Sequence, residues 1–226
     1  MSLIAINVAI FIGGMLLTRD PSAITGGVTD AHLEFGLSKD ILSQTIIWEG
    51  DDGSLFVTQP DGWYRLVTSG FIHFGILHIA FNMYFLYILG PMIEPAVGRT
   101  RFLLLYMASL LGGSLGVILF DSGGITGGAS GAIFGLLAGA SVALWRRGVN
   151  PLTSGIGTTL LLNLFITFAV PGISIGGHLG GAVAGALCAI VMLAPPHRSF
   201  PKWATYATPV AVGVGSVIAS VLLVVA

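Results

Sequence analysis

Long apolar segments without charge dominate the chain and alternate with short segments that carry charge. Uncharged stretches occur at residues 1–18, 71–89, 102–120, 122–145, 148–177, 178–194 and 203–226. An α-helix of about 20 apolar residues spans the roughly 30 Å hydrocarbon core of a bilayer. The pattern therefore predicts seven transmembrane helices. Pro171 and Gly172, which interrupt a helix, mark the boundary between the fifth and the sixth.

Composition supports an integral membrane protein. Of the 226 residues, 54% are hydrophobic and 8% are charged, whereas a soluble domain carries roughly 25% charged residues. The first segment has no Lys or Arg before Arg19, unlike the basic start of a secretory signal. We therefore expect it to be a helix of the protein.

Basic residues indicate the orientation, because short cytoplasmic loops are enriched in Lys and Arg. The loops after the second, fourth and sixth spans hold six of the nine basic residues: Arg99, Arg101, Arg146, Arg147, Arg198 and Lys202. The first loop holds eight of the ten acidic residues. We therefore expect a multi-pass protein of a cell membrane, typically the prokaryotic plasma membrane. Its N-terminus would be cytoplasmic, and its first loop and C-terminus external.

The first loop is too long to be a simple connector. Its apolar patches at residues 46–48 and 55–57 predict a partly ordered cap, and Pro60-Asp61-Gly62 predicts a turn at its end. Trp63, Tyr64 and Arg65 follow, where aromatic and basic side chains commonly lie at the membrane interface. Such anchors need no catalytic role.

Ser130 lies in Gly127-Gly128-Ala129-Ser130-Gly131, where a loop on the expected outer side meets an apolar helix. The first amides of a helix have no internal acceptor and lie in a positive field. The neighbouring glycines leave room for a substrate backbone. These features suit a serine nucleophile beside half of an oxyanion hole. In a chain with 33 glycines, however, this short string is a weak signal alone.

Further polar residues lie within the apolar spans. His78 and Asn82 share one face of the second helix, with His73 nearer its outer end, and His178 opens the sixth. Each alone is compatible with an interhelical hydrogen bond worth about 1 kcal/mol.

Glycines repeat at four-residue spacing on the fourth and sixth helices, at Gly131, Gly135, Gly139 and at Gly177, Gly181, Gly185. Such stripes let helices approach closely. Simple glycine-zipper packing would explain the stripes, but not why Ser130 and His178 begin them.

Several other chemistries lack their residues. No acid lies in the fourth or sixth helix, so a Ser130–His178 dyad is predicted without a third member. Asp121 is the only Asp beyond the first loop, which excludes an intramembrane aspartate pair. There is no His-Glu-x-x-His sequence for zinc and no Lys in the glycine-rich loop for phosphate. We therefore expect no metal, no cofactor and no nucleic-acid partner.

Together these residues resemble the rhomboid intramembrane serine proteases, over Trp63 to about Met192. The resemblance rests on these motifs in this order: His73-Phe74, His78-x-x-x-Asn82, Gly90-x-x-x-Glu94, Gly128-Ala129-Ser130-Gly131 and His178-x-x-Gly181-x-x-x-Gly185. Arg65 matches the first-loop arginine of that family only loosely. Phe134 stands where relatives often have a tyrosine that stacks on the catalytic histidine.

The resemblance implies a six-helix catalytic core, residues 1–194 with the external loop 19–66. Residues 195–226 would be a cytoplasmic linker and a seventh helix. It implies that Ser130 is the nucleophile and His178 the general base, with His78, Asn82 and the Ser130 amide holding the oxyanion. The substrates would be transmembrane proteins, entering from the lipid bilayer beside the fifth helix and cleaved near the outer leaflet. Two alternatives remain: an inactive relative that binds transmembrane helices, and a transporter that uses the polar cluster as its pathway.

Overall fold

The computed structural model describes residues 2–49, 53, 55–58, 60, 62–121 and 123–225. Asp61 of the predicted turn lies outside the described residues. So do Met1, Ser122 and Ala226, three of the predicted span ends.

The described residues are mostly helical. The α-helices are α1 (Ser2–Thr18), α2 (Ser22–Thr25), α3 (Asp30–Phe35), α4 (Lys39–Ser43), α5 (Arg65–Thr68), α6 (Gly75–Val97), α7 (Arg99–Phe120), α8 (Ser130–Arg146), α9 (Ile156–Ala169), α10 (Ile175–Met192) and α11 (Ala204–Val225). Two strands, β1 (Ile46–Glu49) and β2 (Leu55–Thr58), and two short 3-10 helices, Ser69–Phe71 and Pro196–Arg198, complete the described elements.

Seven of the described helices are apolar and have at least 14 residues: α1 and α6 to α11. Among the described residues, α6, α7, α10 and α11 are long and apolar enough to cross a membrane, and α1, α8 and α9 are shorter. The chain breaks between α9 and α10, at the predicted Pro171 and Gly172. The prediction of an all-α polytopic membrane protein is confirmed.

Helix α8 begins at Ser130, where the sequence predicts that a loop meets a helix, and Gly128 in that loop has a φ of 123°. Helix α9 begins at Ile156, later than the uncharged stretch 148–177 suggests, because polar groups fold the preceding segment into turns. There, the Asn150 side chain accepts a hydrogen bond from the Leu152 amide at 3.0 Å, and Gly155 has a φ of 82°. Absence of charge alone does not reveal such turns.

Helix α10 packs against both α7 and α8 and meets each of them through glycine. A Cβ atom built on Gly181 would overlap the carbonyl oxygen of Gly131, and one on Gly185 would overlap the backbone of Gly135. The two predicted stripes therefore face each other. On the adjacent face of α10, Gly176 and Gly180 pack equally closely against backbone atoms of α7 at Gly116 and Gly112. The sequence interpretation missed this second contact.

The described residues of the first loop form short helices and a strand pair, in agreement with the partly ordered cap that the sequence predicts. Strands β1 and β2 form an antiparallel hairpin in which Ile47 pairs with Val57. Leu37 forms a two-way backbone bridge with Thr126, with N to O distances of 2.9 and 2.8 Å. The cap is thereby joined to the loop that precedes Ser130.

Arg65 is not the interfacial anchor that the sequence predicts. Its side chain is 2% exposed. The guanidinium donates to the carbonyl oxygens of Leu33 at 2.6 Å and Gly36 at 3.0 Å. These carbonyls end α3 and have no partner within that helix. Arg65 therefore stabilises the cap from within.

Helix α11 contacts both the helical core and the cap. Val217 and Val224 pack against a buried apolar cluster that includes Leu42 of the cap and Ile118 of α7. Near the other end, Arg101 donates to the Thr205 hydroxyl at 3.4 Å. The division into residues 1–194 and 195–226 stays a prediction.

Candidate active site

Ser130 is the first residue of α8, and the loop before it is held by the backbone. The Gly128 amide donates to the Ser69 carbonyl at 2.8 Å. A Cβ atom on Gly128 would lie 2.7 Å from Nε2 of His78 and 3.7 Å from Oγ of Ser130. Only glycine allows both this left-handed turn and the close approach of the His78 ring. The loop thus brings the Ser130 hydroxyl and the His78 imidazole to one site.

The predicted pair Ser130 and His178 is in contact. Oγ of Ser130 lies 2.8 Å from Nε2 of His178. The His178 side chain is mostly buried, one turn from the start of α10. The glycine contacts between α8 and α10 bring the two helix starts together, as the stripes predict. This distance is within the range for proton transfer between a nucleophile and its base.

Phe134 covers one face of the His178 ring. The ring centroids are 4.0 Å apart and the planes differ by 15°. Phe134 follows Ser130 by one helical turn, so both side chains lie on the same face of α8. The stacking expected of the family tyrosine therefore persists without the hydroxyl.

The other ring nitrogen of His178 contacts a residue that the sequence interpretation missed. Nδ1 lies 2.7 Å from Oγ1 of Thr167, near the end of α9. A search for acids in the fourth and sixth helices could not find a hydroxyl on the fifth. The available signal was the break at Pro171 and Gly172, which turns the chain back and brings the end of α9 close to the start of α10.

His78 is held so that one nitrogen can donate toward the loop at Gly128, beside Ser130. Its Nδ1 accepts a hydrogen bond from the Phe74 amide at 3.2 Å. In neutral imidazole the proton then lies on Nε2, the atom that faces Gly128. One turn further along α6, the Asn82 amide donates to the His78 carbonyl at 2.8 Å. An amide nitrogen carries two hydrogens, so a second one remains for another acceptor.

Two further histidines support the loop before Ser130. Nε2 of His73 accepts from the Ala129 amide at 3.4 Å. His32 in the cap lies with Nε2 3.2 Å from the His73 carbonyl, while its Nδ1 accepts from the Thr29 amide at 3.0 Å. Burial lowers the pKa of His32 below its ordinary value and so favours the neutral ring. The sequence interpretation missed His32 because it lies in the loop and not in a span.

Asp121 holds the start of α10. Its carboxylate accepts from the Ser174 hydroxyl at 2.5 Å and from the Gly176 amide at 2.9 Å. Ser174 in turn caps the helix, because its Oγ accepts from the Gly177 amide at 2.8 Å. Asp121 thus fixes the turn of α10 that carries His178. Sequence reasoning noted Asp121 only as a lone aspartate.

Replacing Ser174 by alanine is expected to destabilise the protein by about 1 kcal/mol, because the helix cap is lost. This corresponds to a fall of about 2–4 °C in the melting temperature. The melting temperature can be followed in detergent with a thiol-reactive dye, because the single cysteine, Cys188, is buried.

The matched control is Ser199→Ala, at an exposed serine outside the helices. It should melt with the wild type. A Ser174→Ala protein as stable as this control would contradict the capping role.

A small cavity of about 30 Å³ adjoins Ser130 and is lined in part by Ser69 and Ser114. A volume of this size is sufficient for a water molecule.

Among the described residues, no group of three or more His, Cys, Asp or Glu side chains could hold a metal ion.

Comparison with known proteins identifies related sequences. The Rhomboid domain family matches residues 60–195. Rhomboid protease GluP of Bacillus subtilis is 36% identical over 163 residues, covering 71% of this chain and 32% of that protein. RHOMBOID-like protein 2 of Arabidopsis thaliana is 30% identical over 214 residues, covering 87% of this chain and 67% of that protein. Rhomboid-type serine protease 2 of Emericella nidulans is 31% identical over 145 residues, covering 61% and 28%. The chain therefore spans about a third of the length of several of its curated relatives.

Proposed function

Because the chain belongs to the rhomboid family, we propose that it is a serine endopeptidase that cleaves transmembrane segments of other membrane proteins. The family includes proteins named as serine proteases, and its members act on membrane proteins within the bilayer. The observation that carries the proposal for this chain is the 2.8 Å contact between Ser130 Oγ and His178 Nε2.

Ser130 and His178 would divide the chemistry as a dyad. His178 accepts the Ser130 proton through Nε2 while Oγ attacks the peptide carbonyl carbon. As the tetrahedral intermediate collapses, His178 returns the proton to the leaving amine and an acyl-enzyme remains. A water molecule, deprotonated by His178, then hydrolyses that ester and restores Ser130.

Three donors would stabilise the oxyanion: the Ser130 amide, the Nε2 hydrogen of His78 and the Asn82 amide. The Ser130 amide has no acceptor within α8 because it is the first of that helix. His78 contributes as a neutral donor, since its Nδ1 is already an acceptor. Buried donors aimed at a developing negative charge are among the largest contributions to catalysis.

Replacing Asn82 by alanine is expected to slow proteolysis by roughly 10- to 1000-fold, because one oxyanion donor is removed. The measurement is the rate of cleavage of a single-span membrane protein in proteoliposomes.

The matched control is Asn7→Ala on α1, whose side chain donates to the carbonyl four residues earlier at 2.8 Å, as that of Asn82 does. The control should retain its activity. Equal cleavage rates for the two variants would show that Asn82 does not stabilise the oxyanion.

The loop charges support the orientation of the site. With Arg99, Arg101, Arg146 and Arg147 on the cytoplasmic side, the N-terminus is cytoplasmic and the C-terminus external. The start of α8 then lies toward the outer leaflet, where Ser130 would cleave its substrates. The substrate would enter from the surrounding lipid beside α9.

Labelling with a fluorophosphonate probe tests the proposed function directly. The probe reacts with a serine that a base has activated, so the wild type should be labelled in detergent micelles and Ser130→Ala should not. A wild type that resists labelling would favour a helix-binding relative without activity. Equal labelling of both proteins would refute the assignment of Ser130.

A further inference from the structure

Thr167 connects α9 to the candidate base through one hydroxyl group. Its Oγ1 lies 2.7 Å from Nδ1 of His178 and 2.7 Å from the carbonyl oxygen of Asn163. The Thr167 side chain is 2% exposed. Thr167 and Gly157 are the buried residues of α9, and the remainder of that helix is half-buried or exposed. The hydroxyl is therefore directed at His178 from a helix with few other buried contacts.

The direction of these two hydrogen bonds follows from counting protons. A carbonyl oxygen can only accept, so the single Thr167 proton points to Asn163. The lone pairs of Oγ1 then face Nδ1 of His178. A close contact there is favourable only when Nδ1 carries a hydrogen. The opposite arrangement would bring two acceptors, Oγ1 and the Asn163 carbonyl, together at 2.7 Å without a proton between them.

We propose that Thr167 is a positioning residue that fixes the tautomer of His178. With the hydrogen on Nδ1, Nε2 is left with a lone pair directed at the Ser130 hydroxyl 2.8 Å away. That is the tautomer in which His178 can act as a base. The inference rests on the proposed function for its catalytic meaning.

The Thr167 hydroxyl does here what a carboxylate does in a Ser-His-Asp triad, without placing a charge in the membrane. An uncompensated carboxylate at membrane depth is costly, whereas a hydroxyl bonded to its own helix is not. The Asn163 carbonyl keeps the Thr167 proton from turning toward Nδ1. Ring orientation is then set at three points: Ser130 on one nitrogen, Thr167 on the other, and Phe134 on the ring face.

The position of the end of α9 and the tautomer of His178 are thereby coupled. A displacement of the end of α9 away from α10 removes the acceptor for the Nδ1 hydrogen. His178 then loses its preference for the tautomer that accepts the Ser130 proton. The rate of the chemical step becomes dependent on the contact between these two helices.

The test compares Thr167→Val, which keeps the shape and removes the hydroxyl, with Thr167→Ser, which keeps the hydroxyl. The control is Thr159→Val on the same helix, because the Thr159 hydroxyl also bonds to the carbonyl four residues earlier, at 2.8 Å. The first readout is the fluorophosphonate reaction at Ser130. We expect Thr167→Val to lower the maximal labelling rate about 10- to 100-fold with the half-saturating probe concentration unchanged. This is less than the roughly 10⁴-fold loss when a triad aspartate is replaced by asparagine.

The second readout is the ¹⁵N NMR spectrum of protein labelled at histidine, with His178 assigned by its loss in His178→Gln. We expect an Nδ1-protonated ring in the wild type, in Thr167→Ser and in Thr159→Val, and a shift toward the Nε2-protonated ring in Thr167→Val. Normal labelling by Thr167→Val, or an unchanged tautomer in that variant, would overturn the inference. A wild type that is not labelled would refute the proposed function alone, since the tautomer is measured without any reaction.

Discussion

Replacing Ser130 by alanine is expected to abolish proteolysis, with a loss of at least about 10⁴-fold, because the nucleophile is removed. His178→Ala should have an effect of similar size, since the hydroxyl cannot act without its base. Both variants should keep the fold. The measurement is cleavage of a single-span membrane protein in proteoliposomes, with a thiol-reactive dye to establish that Cys188 remains protected.

Ser141→Ala is the matched control. Ser141 lies on the same helix, α8, and its hydroxyl donates to the Leu137 carbonyl at 2.9 Å. The control should cleave at the wild-type rate. Cleavage by Ser130→Ala above about one hundredth of that rate would mean that another residue supplies the nucleophile, since a nucleophile knock-out removes far more.

Replacing Gly185 by alanine is expected to destabilise the protein by about 3 kcal/mol, the upper end of the range for an overpacked core. The new Cβ atom would overlap three backbone atoms of Gly135 on α8. Backbone atoms cannot turn aside as a side chain can, so α8 and α10 must separate. A fall of about 6–12 °C in melting temperature follows, together with loss of fluorophosphonate labelling because Ser130 and His178 move apart.

Gly215→Ala makes the same chemical change where a Cβ atom would meet nothing within 4 Å. It should melt at or slightly above the wild-type temperature, because alanine restricts the unfolded chain. Equal melting temperatures for the two variants would show that contact between α8 and α10 does not limit stability.

The number and type of the apolar helices followed from the sequence, because the bilayer penalises charge along a whole span. The start of α9 at Ile156 did not, because the turns before it contain no charged residue. Ser130 was expected where a loop meets a helix, but the hydrogen bond from the Gly128 amide to the Ser69 carbonyl that holds this loop exists only in the fold. Likewise, the burial of Arg65 depends on the carbonyl oxygens of Leu33 and Gly36, which only the folded cap brings within reach.

Part of the candidate site was also predictable. Ser130 and His178 could be paired from the sequence because each begins a glycine stripe, and stripes of small residues indicate which helix faces meet. The roles of His78 and Asn82 came from the family resemblance and remain proposals. The proposed role of His78 is supported by its hydrogen bond, since the Phe74 amide occupies Nδ1 and so leaves the Nε2 hydrogen facing Gly128.

What the sequence determined by itself is a polytopic helical membrane protein with a serine and a histidine at facing helix starts. Hydrophobic length and glycine spacing are local properties of the chain, so they can be read without the fold. Only the tertiary structure decided which groups hold that pair: Thr167 on Nδ1 of His178 and Asp121 at the start of α10. Each acts through a hydrogen bond between separate helices or their ends, and a bond of about 2.7–2.9 Å exists only once packing has set the distance.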